Sequence, residues 1–332
     1  MRSSRSAFRR GALVTMSLAA LLAVASAASA TAGEYPDHPI RVIVPWPAGG
    51  VADSGTRRTA ALMEKVLGTR MVIENRPGAS GQIATEFVAK APPDGYTLIA
   101  GDISTFGVNA CVFPHLKAHP LRDFEAITLR NRGPMMLVVH SGSPVRSVDD
   151  LVKRSQAEAD GLTYASPGIG TLQHLQMERL LQATGARLRP VVYKGEAPGL
   201  VEVVGGQVTA MFTFPAVALS HVQSGKLRAL AVTSRSRIAA LPDTPTFSEL
   251  GRTELDAYAW GGFFAPKGTP APVLDRIAKA MAQVSGDAGL RAFAASFGAE
   301  PVHSTPEETR AWVRSEIDRL CAITRKAGIR VE

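Results

Sequence analysis

Cysteine is scarce in this 332-residue chain, with only Cys111 and Cys321. There is no Cys-x-x-Cys pair and no histidine at metal-ligand spacing, so zinc and iron–sulfur chemistry are not indicated and no metal or cofactor is expected. Blocks of Lys and Arg are missing too. The formal charge of +8 includes Arg2, Arg5, Arg9 and Arg10, which face no acid in the first 32 residues, so the remainder carries 8 − 4 = +4. A charge this mild and this scattered argues against a nucleic-acid partner and for a locally positive cleft. A Gly-x-Ser-x-Gly elbow, a fixed-period repeat and low-complexity tracts beyond the N-terminus are also lacking.

One long apolar run exists, from about 12 to 25, behind the four arginines and before Ala-Ser-Ala at 28–30 and Ala-Thr-Ala at 30–32. This is the pattern of an export signal over 1–32, too short to span a membrane comfortably. Cleavage after Ala30 or Ala32 is expected to leave a periplasmic protein. No cysteine follows the run, so no lipid anchor is expected, and the residues after Arg9-Arg10 fit the twin-arginine route poorly. Export permits a disulfide between Cys111 and Cys321, but their separation does not decide whether they meet.

The stretch 41–53, Arg-Val-Ile-Val-Pro-Trp-Pro-Ala-Gly-Gly-Val-Ala-Asp, organises what is present. Ile40, Val42, Ile43 and Val44 form the near-continuous apolar run of a strand buried on both faces. Pro45 and Pro47 stop it. Gly49 and Gly50 turn the backbone, Gly50 being expected at positive φ, and Asp53 is placed to cap the helix at 54–67. The first N–H groups of such a helix attract negative charge, so a small carboxylate fits the corner; an ordinary strand-to-helix turn fits it as well.

The pattern continues as a strand at 71–74, a turn at 75–81, a helix at 82–91 and a strand at 96–100. That βαβαβ order puts three corners on one sheet edge. Residues 109–132 read as irregular, and an apolar strand restarts at 135–139, marking a domain change. Ser147 and Asp150 resemble a capping box for a helix at 148–157. A strand at 162–165 runs into Ser166-Pro167-Gly168-Ile169-Gly170-Thr171 and a helix at 172–182, repeating the opening corner. Strands at 190–193, 207–214 and 227–233, with helices at 200–204 and 216–223, complete a second α/β layer. A strand at 258–264 returns to the first layer. Thr269-Pro270 is read as the start of a helix at 273–284, and Thr305-Pro306 with Glu308 as the start of the last helix.

These residues accumulate into a recognisable set: Tyr-Pro-x-x-Pro-Ile-Arg at 35–41, Pro-x-Pro-x-Gly-Gly-x-x-Asp at 45–53, Glu-Asn-Arg-Pro-Gly-Ala-x-Gly at 74–81 and Pro-Asp-Gly-Tyr-Thr-Leu at 93–98. Tyr-x-Ser-Pro-Gly-x-Gly-Thr-x-x-His-Leu at 164–175, Gly-Lys-Leu-Arg-Ala-Leu-Ala-Val at 225–232 and Ala-Pro-x-Gly-Thr-Pro at 265–270 extend it along the chain. The sequence resembles the Bug family, the periplasmic solute receptors of tripartite tricarboxylate transporters. The resemblance implies an α/β, two-lobed type II periplasmic-binding-protein fold, each lobe a mostly parallel sheet flanked by helices. Lobe 1 is expected to comprise 33–134 with 258–332, and lobe 2 to comprise 135–257. It further implies a monomer that is not an enzyme, holds a di- or tricarboxylate or an aromatic acid between its lobes, and delivers it to membrane permease subunits.

By position, the resemblance assigns Trp46, Gly49, Gly50, Ala52 and Asp53 to the ligand site in the first lobe, with Ser80 and Ser104 at its edge. In the second lobe it assigns Ser166, Gly168, Gly170, Thr171 and His174, together with Thr213, which stands where many members carry Asp. Losing that acid favours a plain acid over an amino acid. Trp46, Phe212 and Phe214 leave room for a ring, although Phe212 and Phe214, two apart on a strand, more simply read as core. Asp53 has a plainer role as a cap and loop organiser, and His174 a plainer one in packing or capping within its own helix. A receptor that presents its ligand to a membrane signalling protein is the alternative. An exported hydrolase using Ser166 or Ser80 with His174 is disfavoured, because Pro167 removes the amide an oxyanion hole would need.

Overall fold

The computed structural model describes residues 35–158 and 161–329. The export signal expected at 1–32 lies outside them. The chain divides into two units, 1–37 and 38–332, and every element below belongs to the second.

Three strands, β1 (Ile40–Val44), β2 (Met71–Asn75) and β3 (Thr97–Asp102), are parallel and joined by helices α1 (Val51–Leu67) and α2 (Gln82–Ala89). All but Arg41 of β1 is buried, as an apolar run covered on both faces should be. Gly68 closes α1 in the left-handed conformation, its N–H reaching Glu64 O. After two short helices, α3 (Asn109–Val112) and α4 (Pro120–Asp123), comes β4 (Phe124–Gly133). The chain then leaves this sheet, and β10 (Ala259–Pro266) returns antiparallel between β3 and β4. With β11 (Glu300–Pro301) the order is β11-β4-β10-β3-β1-β2. Under it, the Phe106 ring stacks on Phe264 at 3.9 Å and meets Phe124 edge-on at 4.9 Å. Gly101 makes room, since a Cβ there would sit 2.4 Å from Phe106.

The second sheet holds β5 (Met136–His140), β6 (Leu162–Ser166), β7 (Leu188–Val192), β8 (Ala210–Thr213) and β9 (Leu227–Val232), in the order β7-β6-β8-β5-β9. Its helices are α5 (Val148–Ala157), α6 (Leu172–Thr184), α7 (Glu196–Val204) and α8 (Pro215–Gln223). Parallel pairs β6–β7 and β6–β8 sit beside antiparallel pairs β5–β8 and β5–β9. The chain ends with α9 (Ala271–Val284), α10 (Ala288–Ala295) and α11 (Pro306–Ala327). Two sheets flanked by helices make an α/β protein. Cys111 on α3 and Cys321 on α11 form a disulfide across a separation of 210 residues.

Several local expectations change. Residues 109–132 are irregular only at 113–119: 124–133 is a ten-residue strand. Its pairing with β10 shifts register twice, so it lacks the strict alternation by which a strand is read. Helix α10 carries no terminal signal stronger than Asp287, whose side chain accepts the Leu290 N–H at 2.8 Å. Thr269 does not cap α9; its hydroxyl turns back to Pro266 O, and Pro270 is the N-cap residue. Thr305 and Glu308 do form a reciprocal capping box. At α5 only half a box forms: Ser147 accepts the Asp150 N–H, while Asp150 accepts from Arg146.

Candidate ligand-binding site

The first corner is held by side chains. Gly50, extended at φ −73°, is the N-cap residue of α1, and the left-handed residue is its neighbour Gly49 at φ 83°. Asp53 is therefore not the cap but lies inside the first turn, where its Oδ2 accepts the Gly49 N–H at 2.9 Å. Arg57 Nε and Asn75 Nδ2 donate to the same carboxylate, and Asn75 also donates to Trp46 O. Burial alone would raise the Asp53 pKa, but the bonds from Arg57, Gly49 and Asn75 hold it below the usual carboxylate value. One glycine amide is thus consumed within the loop. The first N–H groups of α1 have no partner inside the helix, and Gly50, Val51 and Ala52 present that end to a cavity.

The cavity has a volume of about 700 Å³, within the range of small-ligand sites. The first sheet contributes Trp46, Ser104, Arg130 and Trp260, and the second contributes Glu196 and Phe214, with Phe293 and Phe297 closing a third side. Most of this wall is apolar or aromatic. Trp46 Nε1 donates to Asp102 Oδ2, and Thr105 donates to Asp102 Oδ1 from its amide and its hydroxyl. Removal from bulk water pushes the Asp102 carboxyl above its usual range.

Arg130 stands out in this wall. In the β4–β10 ladder Asn131 faces Gly261 and Leu129 faces Gly262, so Arg130 is the extra residue of a bulge. Its guanidinium lies between Gly55 of α1 and Gly261 of β10: a Cβ on Gly55 would be 3.3 Å from Nη1, and one on Gly261 would be 3.1 Å from Nη2. Arg130 is only 6% exposed. Its Nε is buried without a hydrogen-bond partner, as is Asn131 Oδ1 next to it. Burial lowers the Arg130 pKa to about 10, with Asp102 opposing the shift, so the group is cationic at neutral pH.

Of the residues expected from sequence, Trp46, Gly50, Ala52 and Ser104 meet around this cavity. Gly49 and Asp53 brace the loop behind them. Ser80, itself left-handed at φ 54°, offers its carbonyl to Asn109 Nδ2 and does not line the cavity. Ser166, Gly168, Gly170, Thr171 and His174 form the corner between β6 and α6, outside the lining. That corner is internally satisfied. Ser166 Oγ and Thr171 Oγ1 both donate to Gly168 O, and His174 Nδ1 accepts the Gly170 N–H at 3.0 Å. The serine hydroxyl and imidazole that a hydrolase would pair are each engaged in fixing this loop. Thr213 is buried behind the wall, donating its hydroxyl to Glu196 Oε1 at 2.6 Å.

Sequence reading missed Asp102, Arg130, Asn131 and Glu196. A signal existed for Arg130, an arginine following the mainly apolar Ala126-Ile127-Thr128-Leu129, because charge beside such a stretch demands a partner. Glu196 gave none, since an acid at a helix start is ordinary. Phe212 and Phe214 separate: β8 ends at Thr213, so Phe212 stays in the core, while Phe214 becomes the N-cap residue of α8 and reaches the cavity wall.

Comparison with known proteins places this geometry. The tripartite tricarboxylate transporter family receptor model, TctC, matches residues 56–329. BugT of Bordetella pertussis is 34% identical over 327 residues, covering 96% of this chain and 100% of that protein. A solved R. palustris protein with adipate superposes with a TM-score of 0.76 at 31% identity, covering 90% of this chain and 99% of that one. MatC from Rhodopseudomonas palustris, with bound malate, superposes at 0.72 and 30% identity, covering 87% and 99%. The fold is the two-lobed one of periplasmic binding proteins. The chain belongs to the family of tripartite tricarboxylate transporter receptors.

Proposed function

We propose that this protein is an exported, periplasmic receptor that captures a small carboxylate between its lobes and delivers it, as a monomer, to the permease subunits of a tripartite tricarboxylate transporter. The observation that carries the reading is the cavity itself, in which the start of α1 and the cation of Arg130 face an aromatic wall shared by both sheets. An anion gains there from helix N–H groups and a desolvated guanidinium, while an apolar body gains from the aromatic faces. The two solved relatives with adipate and malate support the ligand class.

The lobes in this reading are 33–134 with 258–332, and 135–257. The segregation of β1–β4, β10 and β11 from β5–β9 supports them. Among the described residues, two stretches cross between the sheets, after β4 and after β9. Those crossings act as the hinge. Closure brings the 166–171 corner, with Thr171 and His174, toward the ligand held by Trp46, Gly50 and Ala52, and the closed form is what the permease recognises.

A thermal-shift screen of the mature protein against mono-, di- and tricarboxylates, aromatic acids and amino acids tests this. A ligand that binds only the folded state raises the melting temperature by mass action. The expected result is a concentration-dependent rise with at least one acid; a flat response to all of them contradicts the reading.

A further inference from the structure

We propose that Arg130 takes the ligand's carboxylate and that Glu196, on the wall supplied by the second sheet, turns away a second one. The cavity then selects an acid with one carboxylate and an apolar body over a dicarboxylate. This rests on the carboxylate-receptor reading and names the class of acid.

Four features of Arg130 carry the first half. The residue is the unpaired member of a bulge, the device by which a strand re-aims a side chain. Its guanidinium is buried and lines the cavity, in space left by two glycines. It makes no side-chain hydrogen bond or ion pair with any described residue: the Asp102 oxygens are occupied by Trp46 and Thr105. Asp102 offsets part of the cost of burying this charge from a distance, but no described residue bonds the guanidinium, and a carboxylate matches its planar fork.

Glu196 carries the second half. Its Oε1 is fixed by the Thr213 hydroxyl and the Phe214 N–H at 2.6 and 3.0 Å, so its charge is held at the cavity wall. A second ligand carboxylate brought near it meets like-charge repulsion, whereas a ring finds Phe214, Phe293 and Phe297.

The test is isothermal titration of the purified protein with phenylacetate and with adipate, for wild type, Arg130→Gln, Arg130→Lys and Glu196→Gln. Wild type is expected to prefer phenylacetate. Arg130→Gln should lose about tenfold or more in phenylacetate affinity, and Arg130→Lys, which keeps charge without the fork, should lose less. The unliganded melting temperature of Arg130→Gln should hold or rise, because a residue with a structural role alone would lower it. Glu196→Gln keeps an acceptor for Thr213 and Phe214 and should gain about tenfold for adipate. Unchanged phenylacetate affinity in both Arg130 variants, or an unchanged ratio of the two acids in Glu196→Gln, overturns the inference. Preference of wild type for adipate, or failure to bind phenylacetate while binding another acid of the thermal-shift screen, also overturns it; failure to bind any acid defeats the receptor reading instead.

Discussion

Thr213 at the end of β8 donates its hydroxyl to Oε1 of Glu196 at the start of α7, 2.6 Å away, and the Phe214 N–H reaches the same oxygen at 3.0 Å. Two chain segments of the second sheet are thereby tied at one carboxylate, which is also part of the cavity wall. Hydrogen bonds to a charged acceptor contribute more than neutral ones. Thr213→Val, nearly isosteric but without the hydroxyl, is expected to lower unfolding free energy by about 1.5–3 kcal/mol, read by urea denaturation.

The 45–53 loop depends on Asp53 in the same way. Asp53→Ala removes the acceptor for Gly49, Arg57 and Asn75 together. A loss of about 1–2 kcal/mol is expected, as for other helix-start acceptors, with weaker acid binding because Trp46 and Gly50 lose their brace. Because the folded state holds the Asp53 pKa below the ordinary carboxylate value of 3.8, this contribution is complete above that value and fades as pH falls through the folded pKa. Wild type should lose its advantage over Asp53→Ala in acid; an advantage independent of pH would contradict the assignment.

His174 gives a dependence nearer neutrality. Burial lowers its pKa from 6.5, with Glu178 opposing, and its Nδ1 must stay unprotonated to accept the Gly170 N–H. Between the lowered folded value and 6.5 the unfolded chain binds a proton that the folded chain does not. Stability therefore falls as pH drops below about 6.5 and levels off below the folded value. Melting curves from pH 7.5 to 5 should show this decline, and His174→Gln should flatten it.

The Cys111–Cys321 disulfide closes a loop spanning most of the chain. The double variant Cys111→Ser/Cys321→Ser is expected to lose about 2–5 kcal/mol, chiefly by freeing the unfolded chain. The denaturant midpoint of the oxidised protein, compared with that of the variant, measures it.

How much of this was legible in the residues follows from how local each signal is. Strand β1 declared itself through a near-continuous apolar run, and α11 through Thr305 and Glu308, because each rests on neighbours within a few positions. Strand β4 did not, because its two register shifts exist only against β10, more than 120 residues away. Arg130 carried a local signal, a charge after an apolar stretch, but its place in the cavity depends on the bulge opposite Gly261. The hydrogen bond from Thr213 to Glu196 joins separate elements, and no spacing rule reports it. Trp46, Gly50 and Ala52 line the cavity because they sit on the strand-to-helix corner that the sequence spells out.

The most direct measurement is isothermal titration of the leading acid from the thermal-shift screen into wild type and into Ala52→Trp, whose indole would fill the cavity mouth from the first turn of α1. The account predicts saturable binding at one acid per chain for wild type and none for Ala52→Trp, with the variant's unliganded melting temperature little changed. Undiminished binding by Ala52→Trp would place the acid elsewhere, and an absence of binding by wild type would contradict the receptor itself.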